Sequence, residues 1–468
     1  MRRAIVSLAL ALLVSSAPLQ GAAHESPIVV APGGRYLQKD GRAFLIIGHN
    51  DALTWPGLSP LLDRSDPRAA EEYLRKLKIK GLNTLRVMIE YAQFDEGLLE
   101  NPLGTYRPAV VAFWDTFFQW LEKYDLYAIV TPWDPFWMER NWARNPYNSQ
   151  NGGLVPDMKG FLTNPATVAA QKDRYRFLID RWGGSRHLLA WELLNEVDLW
   201  WGANPDEISR WIEMMAGFIR GYQREKYGFN SLVTISSAAP MPSGRLDEVI
   251  YNHPSLDFAT THLYTGPGMN APLNTTDAAE EVALAVTYAG MTIKDKRPYT
   301  DTESGPIDAW IGSPKFDAEY LHNISWAHLA SGGAGTGMRW PYRNPHILTD
   351  EMLDVLGGIS RFAAAFDFTG FAPDNITGDL RTDPKCRIYG IADRRRALLW
   401  ILRDSLAQGK VRPAAVAWKA IPAGAYRVSY WDTWRHEWLR RETRTLSGRT
   451  TWRTPSFARD IAIVLEKQ

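Results

Sequence analysis

Glu196 and Glu303 sit where a carboxylate is costly. Glu196 follows the run Leu188-Leu-Ala-Trp-Glu-Leu-Leu-Asn195, and Glu303 follows Pro298-Tyr-Thr-Asp-Thr302. The apolar length of the first run suits a buried strand, and charged groups are rarely buried unless paired or working. Two such acids can divide the labour of breaking a glycosidic bond. One protonates the leaving oxygen, and the other attacks the anomeric carbon or activates water. Glu196, in the more apolar surround, is expected to hold the higher pKa and act as proton donor, with Glu303 as nucleophile. Arg86 lies inside the strand-like run Gly81–Glu90. An interior arginine needs an anion, and it would favour the ionised form of Glu303. Asn195 is placed to bind a sugar 2-hydroxyl, Tyr264 to hold Glu303, His262 to serve the acid or the sugar, and Trp340 to floor the cleavage point.

Further residues join as candidates. His49 ends the first apolar run beside Asn50. The chain holds 20 Trp, and flat sugar faces stack on such rings. Trp133, Trp137, Trp142, Trp200, Trp201 and Trp310 fall in loops after strand ends, where platforms for sugar are expected. Glu192 reads as a buried, paired structural carboxylate. Asp301, two residues before Glu303, is expected to meet an interior cation. Asp198 and Glu90 are rival acids, and His253 and His322 read as structural.

The elements that must position these groups repeat. From residue 43 to 366 a strand-like run followed by a helix-like one recurs eight times. That alternation implies parallel strands, and eight units predict an α/β chain folded as a (β/α)8 TIM barrel with its active residues at the C-terminal strand ends. A doubly wound open sheet is the alternative, but no Gly-x-Gly-x-x-Gly follows the first strand. Ser65-Asp66-Pro67 should start a helix, Asp40-Gly41 should turn a hairpin, and residues 139–165 form a long loop. Beyond about Asn375, short alternating segments separated by turns such as Pro422-Ala-Gly predict a β-sandwich. Residues 375–468 carry 19 Lys+Arg against 9 Asp+Glu, although the whole chain is nearly balanced at 53 against 52. This basic module is expected to dock on the more acidic barrel, with attraction to an anionic polymer as the second reading.

At the N-terminus, Arg2-Arg3, the apolar stretch Ala4–Val14 and the small residues Gly21-Ala22-Ala23 read as a secretory signal cleaved after Ala23. The expected organisation is therefore a signal peptide over 1–23, the catalytic barrel over 24–374 and the accessory domain over 375–468. The single cysteine, Cys386, excludes an intramolecular disulfide. No other stretch is long and apolar enough to span a bilayer.

The Asn195-Glu196 pair, Glu303, Arg86, His262-Leu-Tyr264 and Trp340, in this chain order, resemble the retaining glycoside hydrolases of clan A, most closely family 5, the cellulase and mannanase group. The resemblance spans about residues 35–366. It implies Glu196 as acid/base and Glu303 as nucleophile, with Arg86, Asn195, His262, Tyr264 and Trp340 around them and His49 as a weaker match. Val197 departs from the proline that follows the glutamate in many members. Tyr430-Trp-Asp-Thr433 resembles a strand-turn in the small β-sandwiches that trail such barrels. A carbohydrate substrate, an exported monomer, no nucleic-acid partner, no cofactor and no metal are expected. The competing class is a non-catalytic carbohydrate-binding protein on the same barrel, against which the presence of both glutamates counts. An esterase lacks its Gly-x-Ser-x-Gly motif here.

Overall fold

Asx-Pro pairs set where several helices begin. Pro67, Pro108, Pro135, Pro165 and Pro205 each occupy a first helical position, where the missing N–H costs nothing. Side chains of Asp66, Asp134, Asn164 and Asn204 accept the free N–H groups of the first turn. The computed structural model describes residues 27–93, 97–200, 204–264, 275–305, 314–341, 346–404 and 411–468. The segment expected to be a signal peptide lies outside them.

Eight parallel strands form one sheet: β1 (Ile46–Ala52), β2 (Thr84–Met88), β3 (Tyr127–Thr131), β4 (Leu188–Glu192), β5 (Leu232–Thr234), β6 (Ala259–Leu263), β7 (Tyr299–Ser304) and β8 (Gly335–Arg339). Except for β5 and β6, each pairs with its neighbour in sequence, and β8 pairs with β1. Between β5 and β6 the ladder is replaced by single bonds. Asp257 donates its N–H to the Val233 carbonyl at 2.9 Å, and His262 donates its own to the Ser237 carbonyl at 2.9 Å. These close the ring into a TIM barrel. Ile46, Tyr127, Ile129, Ala190, Leu232 and Met338 fill its floor, a packed interior rather than a pore.

The helices that concern the site are α1 (Pro67–Ile79), α2 (Pro108–Tyr124), α3 (Pro135–Arg140), α4 (Pro165–Trp182), α5 (Pro205–Tyr227), α6 (Arg245–Tyr251), α7 (Thr275–Thr292), α8 (Asp317–Ser331) and α9 (Asp350–Phe366). Below the barrel, Leu37–Lys39 and Arg42–Phe44 pair as a hairpin. Its turn residues Asp40 and Gly41 both have positive φ, 51° and 76°, as the expected two-residue turn requires.

The C-terminal module is an antiparallel sheet of β9 (Asp374–Asn375), β10 (Leu380–Thr382), β11 (Cys386–Ala392), β12 (Arg396–Arg403), β13 (Ala415–Asp432), β14 (Glu437–Arg453) and β15 (Asp460–Lys467). The sequence predicts a turn at Pro422-Ala-Gly; the chain instead continues through it. Irregularities in the β13–β14 pairing between Trp418 and Gly424 bend one long strand, which is what bulges do. The curved sheet encloses its own core of Ile388, Leu399, Val416, Trp418, Val428, Trp452 and Ile463, and so forms the expected β-sandwich. Asp460 anchors it to the barrel. Its carboxylate accepts from His322 of α8, from Trp400 and from Trp434, at 2.8, 2.8 and 2.6 Å. Arg387 reaches Asp277 and Glu280 on α7 at 2.6 and 2.8 Å. No described helix is long and apolar enough to cross a membrane.

Candidate active site

The C-terminal end of the barrel holds a cavity of about 340 Å³. Its lining includes Tyr91, Asp134, Phe136, Trp137, Asn195, Glu196, Tyr264, Glu303 and Trp340. Arg86, on β2, is fully buried beneath it. The Arg86 guanidinium grips Glu192 through Nε and Nη2, donates Nη1 to Glu303 Oε1 at 2.6 Å and to Asn50 at 2.9 Å, and donates Nη2 to Asn195 Oδ1 at 2.6 Å. Burial raises the Glu192 pKa, but the charge and paired bonds of Arg86 outweigh it and hold Glu192 below the usual range. Glu192 is thus the structural half of this cluster.

Glu303 also accepts from the Tyr264 hydroxyl at 2.5 Å. Burial, reinforced by the charge of Glu196, keeps its pKa above the usual range, although His262, Arg86 and Tyr264 pull it down. Among the described residues no arginine is hydrogen-bonded to Glu196. Burial, reinforced by the charge of Asp198, pushes it up to about 8. Glu196 Oε1 lies 2.7 Å from His262 Nδ1, and burial lowers the His262 pKa. An oxygen of Glu196, an oxygen of Glu303 and a ring nitrogen of His262 all lie within 4.8 Å of one another.

The backbone at Glu196 is left-handed, with φ 44° and ψ 60°. A non-glycine residue held there is strained by about 1–3 kcal/mol. The strain is fixed from β5. Glu196 donates its N–H to Ser236 Oγ at 2.9 Å, and Val197 donates its own to the Ser236 carbonyl at 3.0 Å. This accounts for Val197. A proline there would have no N–H to give to Ser236.

Not every sequence candidate reaches the cavity. His49 faces away from the barrel axis and shares Nε2 with the Tyr73 hydroxyl on α1 at 2.9 Å. The next residue, Asn50, points inward to Arg86. Trp133 and Trp200 are also turned away from the cavity. Phe161, from the long loop, packs against both rings, and Trp133 also lies over Arg174 and against Tyr175. They are core, not platforms. Trp142 donates Nε1 to the Pro156 carbonyl within its own loop. Trp201 and Trp310 lie outside the described residues. Trp137 and Trp340 do line the cavity. Trp340 is braced edge-on by Trp55 with ring centroids 4.8 Å apart, and Tyr91 sits against both Trp340 and Trp137. Asp301 is a correction. The β6–β7 register slips between Asp301 and Glu303, so the two face opposite sides. Asp301 meets His328 of α8 at 3.0 Å rather than an interior cation. Asp198 is occupied capping Ala238, Ala239 and Ser237. Met88, Leu199, Glu139 and Arg140 also line the cavity; nothing in their spacing singles them out.

The barrel has counterparts among known proteins. Residues 46–300, more than half of the chain, match the model of the family described as cellulase (glycosyl hydrolase family 5). No curated protein matches the sequence. Among solved structures, a glycoside hydrolase family 5 mannosidase from Rhizomucor miehei superposes with a TM-score of 0.52 at 16% identity, over 67% of this chain and 85% of that one. An exo-β-1,4-mannosidase from Opitutaceae bacterium strain TAV5 gives 0.50 at 16% identity, over 71% and 62%. A protein from Bacteroides vulgatus ATCC 8482 gives 0.58 at 13% identity over 96% of this chain and 83% of that one, so its fold parallels both modules. The chain belongs to glycosyl hydrolase family 5, the cellulase family, and is a retaining glycoside hydrolase.

Proposed function

We propose that this protein is an exported enzyme that cleaves β-linked oligo- or polysaccharide by double displacement, with Glu303 as nucleophile and Glu196 as acid/base. The approach of the two carboxylates to within 4.8 Å carries the reading. Direct attack by one carboxylate requires a separation of about 5–5.5 Å, whereas an intervening water needs roughly 6.5–9.5 Å. A Glu303 oxygen bonds to the anomeric carbon while the Glu196 proton passes to the departing glycosidic oxygen. Glu196, now ionised, takes a proton from water, whose oxygen displaces Glu303 from the same carbon. Arg86 and Tyr264 hold Glu303 through both steps, His262 orients Glu196, and Trp340 and Trp137 offer faces to the sugar.

Two of the structural neighbours are named as mannosidases, so aryl β-mannosides head the panel of aryl glycosides and polysaccharides that tests the proposal. Turnover of a β-glycoside with the β-anomer appearing first by proton NMR is expected. Initial release of the α-anomer, or no turnover of any glycoside, would defeat it. Export rests on the N-terminal pattern, and the exported protein should begin at His24 by N-terminal sequencing; a mature chain starting at Met1 would remove that part.

A further inference from the structure

Asp134 belongs to the cavity wall, yet the double displacement leaves it unused. It follows Trp133 at the end of β3 and precedes α3. Its Oδ1 accepts the Phe136 N–H at 3.0 Å, capping α3, and accepts Asn195 Nδ2 at 3.0 Å. Asn195 is therefore gripped at both ends, by Arg86 on its oxygen and by Asp134 on its nitrogen. Helix α3 carries Phe136, Trp137, Glu139 and Arg140, four residues of the cavity lining. One carboxylate oxygen thus joins the amide beside the reacting centre to the wall across from it. Among the described residues the other oxygen, Oδ2, takes no hydrogen bond, and it is not sealed within the protein.

We propose that Asp134 is a sugar-positioning residue: Oδ1 fixes Asn195 and α3, and Oδ2 accepts a hydroxyl of the sugar ring held between the two glutamates. Carboxylates make strong, directional acceptors for hydroxyl groups. A buried carboxylate with an unused acceptor at a cavity wall is costly unless a ligand completes it. Among the described residues Glu196 and Arg86 are the charges that act on it most strongly, and Glu139, Arg140 and Glu303 line the same cavity. Burial pushes Asp134 up to about 7, opposed by the Asn195 bond and reinforced by Glu196. The coupling is mutual, so the charge of Asp134 disfavours ionisation of Glu196.

The inference rests on the proposed roles of Glu196 and Glu303, and the test separates the two. Asp134→Asn keeps an oxygen for Phe136 and Asn195 but removes the charge and replaces Oδ2 with a donor. It should lower kcat/KM about 10- to 100-fold on aryl glycosides with good and poor leaving groups alike, the scale of one lost charge-assisted bond. It should also shift the basic limb of the kcat/KM profile to lower pH, because Glu196 ionises more readily beside a neutral group. A merely structural cap would not move that limb. Asp134→Ser retains the cap on α3 but cannot reach Asn195; the same shift and a larger loss are expected, and it serves equally should the Asn variant misfold. A folded Asp134→Asn enzyme with wild-type kcat/KM and pH profile would overturn the assignment alone. A wild-type protein that turns over no glycoside would remove both readings.

Discussion

Two fully buried arginines, each bridging two glutamates, lie on either side of the barrel wall. Arg86, inside the barrel, holds Glu192 and Glu303. Arg174, on α4 outside it, holds Glu90 and Glu100 at 3.1 and 2.9 Å. By charge and burial the clusters are alike; they differ in where the carboxylate oxygens go. Glu90 Oε1 also accepts the N–H groups of Leu99 and Glu100 at 2.9 and 3.1 Å, and Glu100 Oε1 accepts that of Gly104 at 2.6 Å. The outer cluster ties down the loop after β2. In the inner cluster Glu303 lines a cavity and faces Glu196. A buried ion cluster becomes chemically useful when one of its oxygens borders a void that a substrate can enter, and is otherwise a fastening.

That contrast can be tested from both sides. Glu303→Gln should lower kcat by about 10⁴-fold or more with the fold intact, since it removes the proposed attacking group. Glu196→Ala should cost about 10²–10⁴-fold on poor leaving groups and recover with azide or activated aryl leaving groups. Near-wild-type activity of the first, or no rescue of the second, would erase the distinction between the clusters. Arg174→Met should act differently. It strands Glu90 and Glu100 in the interior, which costs about 3–5 kcal/mol of stability in denaturant unfolding, while the molecules that remain folded keep their kcat. A folded Arg174→Met enzyme that has lost its turnover would place the outer cluster in the catalytic machinery as well.

The eight-fold recurrence of strand and helix, and the carboxylates at the ends of β4 and β7, were legible because they rest on apolar run length. What was not legible is which way a side chain faces. Barrel strands are buried on both sides, so both faces are apolar, and neither His49 nor Asn50 announces which one points inward. The slip between Asp301 and Glu303 breaks two-residue alternation without any glycine or proline to mark it. After β3 the chain passes Pro132, and Trp133 packs outward while Asp134 lines the cavity. Trp133 and Trp200 read as platforms because loop tryptophans after strand ends usually have no core to join. Here Phe161, contributed by a segment 28 residues after Trp133 and 39 before Trp200, supplies one. The proline turn expected at 422 failed for a related reason, since a neighbouring strand long enough to follow the bend lets the chain continue.

The smallest effect expected concerns the strain of keeping a proton on Glu196. In the folded chain this carboxyl is pushed up to about 8, whereas in the unfolded chain it ionises as an ordinary glutamate, near 4.3. Between those values the native state binds a proton that the unfolded state does not. Stability therefore declines as pH rises through this window and levels off above the folded pKa. Glu192 runs the other way. Held below the usual range by Arg86, it contributes stability above the ordinary glutamate pKa, which is lost as pH falls through its folded value. Glu196→Gln removes the first of these contributions at every pH and leaves the second. Relative to wild type, the variant should gain about 1–3 kcal/mol between pH 5 and pH 8, read as a widening difference in denaturant midpoint. Glu192→Gln should lose its partner at every pH and show no such gain. If the Glu196→Gln difference is the same at both pH values, the proton is not held by burial. The unlike environments of Glu196 and Glu303 would then not explain their division of labour.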